Sequence, residues 1–164
     1  MSRVVIEKKI CLEPQYLNER LLDYLRERLQ KEVLNRSDQV YGYITKIYDK
    51  IEVVENSISS AGTGVFFTVR FTAKAFRPEI GNVYKGKVCM TFPQGIFVEI
   101  MEKIKVLIPE ANMGLFKYNK TTSIFKNDSV SLKQGDVVSV QLSLVKYERH
   151  NFNCIGNLKS VEKE

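Results

Sequence analysis

The first half of the chain changes from a two-residue hydrophobic period to a four-residue period and back. Residues 65–76 place apolar side chains at every second position, with Thr, Arg or Lys between them, as expected of a strand with one buried face. Residues 14–35 repeat Leu or Val every four positions, which predicts one long amphipathic helix. Three further strand-like runs are residues 4–12, 40–48 and 50–55. We therefore predict an α+β N-terminal domain, an antiparallel sheet packed on one long helix.

A stripe of apolar residues along the predicted helix indicates which residues form the core of this domain. Leu22 and Tyr24 widen it, and charged residues occupy the other side. A helix with such a pattern buries one face and exposes the other. The stripe consists of Leu17, Leu21, Leu25, Leu29 and Val33.

The second half contains only strand-like patterns. An aperiodic stretch, residues 111–128, precedes the closing strands, and we expect it to be an irregular connection. Five main strands with one long connection before the last pair are the layout of an OB-fold, so an all-β barrel is predicted. In its longest strand, Val138, Val140, Leu142 and Leu144 are in phase. The strand-like runs are residues 82–92, 95–101, 103–109, 136–145 and 151–159, with a short run at 129–132.

The two patterns meet at a short segment that contains a proline. We predict two domains, residues 1–80 and 81–164. Proline fixes its own φ and holds the preceding residue extended. Phe76, Arg77 and Pro78 are therefore predicted to set the angle between the domains rather than to bind a ligand.

Charge points to a polyanionic partner. The 164 residues include 25 Lys and Arg against 19 Asp and Glu, a net charge of +6. Such an excess favours nucleic acid through phosphate neutralisation. The alternative is that the excess lysines only keep the protein soluble.

The cysteines and the histidine predict no metal site. Cys11, Cys89 and Cys154 are far apart, each within a strand-like run, and His150 has no cysteine near it in sequence. We expect reduced thiols in a cytosolic or nuclear protein. The first nine residues carry charges where a signal peptide needs an apolar core, so neither export nor membrane insertion is expected.

Four segments of the second half resemble the ribosomal S1-type RNA-binding domain. In order along the chain, they are similar to the first four strands of that domain. The segments are Gly81–Val88, Gln94–Glu99, Val106–Ile108 and Gly135–Val140.

The first half narrows this resemblance. An opening strand that ends at Leu12, Pro14 before a helix, the run Tyr41–Ile44, the junction Ala75–Pro78 and the closing Asn153–Leu158 are similar to those of one family. It is the family of the seventh subunit of eukaryotic RNA polymerase II and its archaeal counterpart. The resemblance spans nearly the whole chain.

The resemblance implies a non-catalytic stalk subunit of a DNA-directed RNA polymerase. Its first half, the tip, would dock on the core near the clamp, and its S1-type half would face nascent single-stranded RNA. The implied partners are core polymerase subunits and a helical second stalk subunit, with no cofactor and no membrane. The implied location is the nucleus for a cellular eukaryotic copy, and the host cytoplasm, nucleus or virion for a viral one.

Candidate RNA contacts follow from the same resemblance. S1-type domains stack RNA on aromatic residues of the second strand, and Phe97 occupies one such position, whereas Gln94 and Ile108 stand where the family usually has Phe and His. Alternation places Phe97 outside the barrel, where surface packing is its other interpretation. Further cations and one tyrosine are predicted to contact the RNA backbone, and the alternative is that they lie on ordinary solvated faces. These residues are Lys85, Lys87, Lys103, Lys105, Lys117, Tyr118, Lys120, Lys146 and Arg149.

A small-residue stretch, residues 56–64, predicts an exposed loop. The family docks through its tip loops, so Ser59, Ser60, Ala61 and Gly62 are the candidate polymerase contacts, against the alternative of a solvated hairpin turn. Two other functions stay open. A free-standing S1-type RNA-binding protein of translation or RNA decay is one, and an enzyme, for which no acid–base pair or phosphate loop is visible, is the other.

Overall fold

The structure is a computed structural model that describes residues 2–162. Its internal contacts divide the chain into two compact units, Met1–Arg77 (unit 1) and Pro78–Glu164 (unit 2). The division falls three residues before the 80/81 boundary expected from the sequence. Among residues 2–162, no helix has the length and apolar character needed to cross a bilayer.

Unit 1 contains a four-stranded antiparallel sheet in the order β1-β4-β3-β2. Five alternating residues of β4, from Phe67 to Ala75, are at most 6% exposed, which confirms the inward face predicted for this strand. They form one core with β1 and the helix. The strands are β1 (Ser2–Leu12), β2 (Ser37–Asp38), β3 (Gly42–Ile58) and β4 (Val65–Phe76).

The helix of unit 1 is shorter than the sequence predicts. A 3-10 turn, Pro14–Tyr16, comes first, and α1 spans only Leu21–Val33. The side chain of Asn18 accepts a hydrogen bond from the backbone N–H of Arg20 at 2.9 Å, a local turn that competes with helix. Consequently Leu17 is 41% exposed, whereas Leu25 and Leu29 are fully buried.

Strand β3 corrects a second prediction, because it is one 17-residue strand rather than two. Its pairing with β4 shifts register between Ile44 and Lys46, between Ile47 and Ile51, and between Val53 and Glu55. Such bulges interrupt the alternation while the strand continues. The strand also extends to Ile58, so the exposed loop is reduced to a turn before β4.

Unit 2 is a closed five-stranded barrel in the order β11-β12-β7-β6-β5, which supports the predicted OB-fold. Gly86 and Gly156 let strands approach closely, because an added Cβ would lie 2.6 Å from a valine methyl group in each case. The strands are β5 (Val83–Phe92), β6 (Gly95–Ile100), β7 (Ile104–Pro109), β11 (Val137–Glu148) and β12 (Asn151–Glu162).

The stretch expected to be irregular contains a small sheet instead. Strands β8 (Lys117–Asn119), β9 (Ile124–Lys126) and β10 (Ser131–Leu132) pair in the order β10-β9-β8. Phe125 is fully buried and anchors it. Strand β10 lies within the short run predicted at residues 129–132, whereas β8 and β9, with three residues each, are too short to show a hydrophobic period and were not predicted.

Candidate nucleic-acid interface

Two neighbouring rows of outward side chains cross the barrel of unit 2. In each row, a residue lies directly opposite the next one on the adjacent strand. The first, the lysine row, consists of Lys87, Glu99, Lys105, Asn153 and Lys146. The second, the apolar row, consists of Met90, Phe97, Leu107, Ile155 and Leu144.

The lysine row brings together three of the predicted RNA contacts. Lys87, Lys105 and Lys146 are exposed on β5, β7 and β11. Within residues 2–162, none of them forms an ion pair with a carboxylate. Their ammonium groups are thus accessible to an external anion. An open pocket of about 350 Å³, lined in part by Lys85, Lys87 and Glu99, lies at the β5 end of the row.

The apolar row contains the predicted aromatic contact. Phe97 is half-buried, while its neighbours Ile96 and Val98 are fully buried in the barrel, so its outward orientation agrees with the alternation. Its ring stacks on Phe92 at 5.5 Å between centroids and 24° between planes. Met90 is 52% exposed. The row therefore presents an aromatic ring and aliphatic side chains beside the cations.

Two bulges create the apolar row. The β5–β6 pairing shifts between Val88 and Met90, and the β11–β12 pairing shifts between Leu142 and Leu144. Each extra residue reverses the direction of the side chains after it. Leu144, predicted to be in phase with the barrel interior, is 36% exposed for this reason. Sequence reasoning missed the row because a bulge leaves no signal in a regular alternation.

The remaining predicted contacts lie outside both rows. Lys85 faces Ser139 and forms an ion pair with Glu162 at 2.7 Å. Lys103 lies in the turn between β6 and β7, and Lys120 follows β8. The other three are Lys117 on β8, Tyr118 with its ring 5.4 Å from that of Phe125, and Arg149 in the turn between β11 and β12.

Ile108 stands where S1-type domains usually carry a contact histidine, but here it faces inward. Ile108 is fully buried and lies opposite Ile96, so its side chain belongs to the barrel interior. The exposed or half-buried positions of β7 are Lys105, Leu107 and Pro109. Gln94 is exposed in the turn between β5 and β6.

The candidate docking residues form the turn between β3 and β4 in unit 1. The Ser59 backbone N–H donates to the Gly64 carbonyl at 2.9 Å, and the Gly62 N–H donates to the Ser59 carbonyl at 2.9 Å. Ser60, Ala61 and Gly62 are exposed. The preceding residue, Ile58, has an apolar side chain that is 81% exposed, and it is not among the contacts predicted from the sequence.

The residues at the junction have contacts within unit 1. Phe76 ends β4, opposite Tyr43, and is 8% exposed. The Arg77 guanidinium donates to the Val40 carbonyl at 2.8 Å. Pro78, the first residue of unit 2, is buried.

Reactive chemistry is limited at Cys154. Burial raises the pKa of the Cys154 thiol to about 11, so this thiol stays protonated and weakly nucleophilic at neutral pH. Among residues 2–162, no three His, Cys, Asp or Glu side chains are grouped to hold a metal ion.

Comparisons with known proteins agree with this geometry. Residues 77–152 match the S1 RNA binding domain family. The DNA-directed RNA polymerase II subunit RPB7 of Glycine max is 26% identical over 161 residues, which cover 95% of this chain and 90% of that protein. The RPB7 subunit of Saccharomyces cerevisiae is 26% identical over 155 residues, covering 93% and 86%. This chain is similar to RNA polymerase II subunit 7 along nearly its whole length. The resemblance predicted from the sequence is confirmed.

Other similar proteins cover the chain in whole or in part. The DNA-directed RNA polymerase II subunit 7 of Arabidopsis thaliana is 26% identical over 164 residues, 95% of this chain and 90% of that protein. Among solved structures, the apo form of Mycoplasma genitalium RNase R covers 47% of this chain and 13% of its own, with 21% identity and a TM-score of 0.39. The same enzyme with ribose-methylated single-stranded RNA covers 49% and 13%, with 22% identity and a TM-score of 0.41.

Proposed function

We propose that this chain is a non-catalytic stalk subunit of a DNA-directed RNA polymerase, which docks on the core near the clamp, supports initiation and contacts nascent RNA. The observation that carries the proposal is the extent of the similarity, which covers 95% of this chain and 90% of the soybean subunit. A free-standing S1-type protein would share only its RNA-binding domain with such a subunit. Here the similarity includes unit 1 as well.

The turn between β3 and β4 is the proposed contact with core polymerase subunits. Its backbone hydrogen bonds fix the shape of the turn, while Ser60, Ala61 and Gly62 present little side-chain bulk. Ile58 adds an apolar side chain that is 81% exposed. An exposed aliphatic residue beside a small-residue turn suits insertion into a groove of a partner.

The two rows of the barrel are the proposed contact with RNA. Bases stack on Phe97 and pack along the apolar row, since stacking tolerates any base and contributes about 1 to 3 kcal/mol for each base. Phosphates lie along Lys87, Lys105 and Lys146, where each neutralised phosphate releases counterions. The rows run side by side across the strands, so one strand of RNA can use both.

Proposed partners and location follow from the same family. A helical second stalk subunit is an expected partner, and the nucleus is the expected location in a eukaryotic cell. Co-purification from the native source, analysed by mass spectrometry, tests the assignment. Tagged full-length protein should recover the large polymerase subunits, and a tagged unrelated basic protein should not. Recovery of ribosomal or RNA-decay proteins without these subunits would favour the free-standing alternative.

A further inference from the structure

A row of three cations crosses the sheet of unit 1 on the face opposite the helix. Arg3 on β1 lies directly opposite Lys74 on β4, and Lys74 lies directly opposite Lys46 on β3. All three side chains are exposed, whereas the neighbours of Lys74, Ala73 and Ala75, are buried in the core that contains α1. We name these three residues the Arg3 row.

Four residues before Lys74 on β4, the same sheet face carries a cation that is paired with carboxylates. There Arg70 lies between Glu7 and Glu52, with a nitrogen of its guanidinium 2.7 Å from Glu7 Oε1 and another 3.7 Å from Glu52 Oε2. Charges of alternating sign stabilise neighbouring strands, whereas like charges directly opposite each other destabilise them. In the part of the chain that the structure describes, no member of the Arg3 row pairs with a carboxylate. The like charges of the Arg3 row are therefore not neutralised by carboxylates, whereas the charge of Arg70 is.

An aromatic side chain orders two of the three cations. The Arg3 guanidinium carbon and the Lys46 ammonium nitrogen each lie 4.8 Å from the centroid of the Tyr48 ring. Cation–π contacts of this kind hold long side chains in place. A ligand that binds these groups loses less side-chain entropy than it would with freely moving lysines. The row is thus a positively charged surface that is partly preorganised for an anion.

We propose that the Arg3 row binds the phosphate backbone of single-stranded RNA, as a second RNA-contact surface separate from the barrel. Three cations on adjacent strands, spaced by about 4.8 Å each, present positive charge without the hydrogen-bond pattern that reads a base, which is the requirement for sequence-independent phosphate binding. The choice of RNA rather than another polyanion rests on the proposed function. The presence of three cations in the Arg3 row does not depend on that function.

The test measures RNA binding by the full-length protein at several salt concentrations. The probe is a fluorescent oligouridine, and the variant combines Arg3→Gln, Lys46→Gln and Lys74→Gln. Three lost phosphate contacts should reduce the slope of log affinity against log salt by about 2, because each contact with a single strand contributes about 0.7. Lys74→Gln alone should reduce the slope by about 0.7. The matched control removes three cations elsewhere in unit 1, at Arg28, Lys31 and Arg36. It should retain most of the wild-type slope of log affinity against log salt.

A third variant distinguishes RNA binding by the Arg3 row from RNA binding by the barrel. It combines Lys87→Gln, Lys105→Gln and Lys146→Gln. If only this variant weakens binding, the Arg3 row is not an RNA surface; if only the Arg3-row variant does, the barrel proposal is wrong. An Arg3-row variant that binds RNA normally but fails to recover a polymerase subunit would identify a protein contact and contradict our proposal. Urea unfolding should give this variant nearly the stability of the wild type, since it removes both the repulsion between the cations and their favourable contacts with Tyr48.

Discussion

Met90 lies directly opposite Phe97 across the β5–β6 ladder, on the outside of the barrel, only because the pairing shifts by one residue after Val88. Without that shift, Met90 would take the interior direction that Val88 takes. The shift therefore places a flexible aliphatic side chain beside the aromatic ring. Ring and side chain together form one end of the apolar row.

The first prediction concerns Phe97. Phe97→Leu should weaken binding of single-stranded RNA roughly tenfold at low salt, because the stacking platform is lost while the aliphatic packing is retained. Fluorescence titration with oligouridine measures the effect. Leu115→Ala is the control, since Leu115 is 85% exposed and outside both rows. An unchanged affinity for the Phe97 variant would show that this ring only packs on the barrel surface.

The second prediction concerns the glycine of the Tyr41–Ile44 segment. Gly42 has φ of +101°, and an added Cβ would lie 2.4 Å from the Phe76 carbonyl oxygen. Gly42→Ala should therefore destabilise unit 1 by about 2 to 4 kcal/mol, from the left-handed backbone and the clash together. Urea unfolding measures this. Gly62→Ala is the matched control: it also has positive φ, +68°, but nothing lies within 4 Å of its Cβ, so it should cost only about 1 kcal/mol.

The regular parts of the fold could be predicted from the sequence. Alternation in β4 and the repeat around Leu25 and Leu29 each reflect burial of one face, which is a property of the local sequence. The order of the barrel segments, together with the family resemblance, indicated the S1-type half. These predictions needed no knowledge of which strands pair.

The surfaces could not be predicted in the same way. Lys87, Lys105 and Lys146 lie in one row because of the register of five strands, and register depends on bulges that tertiary pairing decides. Ile108 stands where S1-type domains usually carry a contact histidine, although the register places its side chain inside the barrel. The like-charged arrangement of Arg3, Lys46 and Lys74 depends on two ladders at once, so no stretch of sequence reveals it.

The third prediction uses the pKa of Cys154. Burial raises this pKa from an ordinary value near 9 to about 11 in the folded state. Above pH 9 the unfolded state loses the thiol proton while the folded state keeps it, so the contribution of Cys154 to stability is complete below pH 9 and is lost as the pH rises to 11. Between pH 8 and about pH 10.5 the wild type should lose roughly 2 kcal/mol more unfolding free energy than Cys154→Ala. Equal losses would contradict the assigned burial.

The fourth prediction concerns docking by the turn after β3. Ile58→Asp places a charge where an aliphatic side chain is 81% exposed, so it should leave the stability of the isolated protein within about 0.5 kcal/mol of the wild type. If the turn inserts into a groove of the polymerase core, burial of that charge should reduce recovery of the large subunits at least tenfold. Val5→Asp is the control, because Val5 is 60% exposed on β1. Quantitative mass spectrometry of tagged variants compares the two. Equal recovery with Ile58→Asp and with the wild type would place the core contact elsewhere on unit 1, whereas an equal loss with both variants would indicate a general effect of added negative charge.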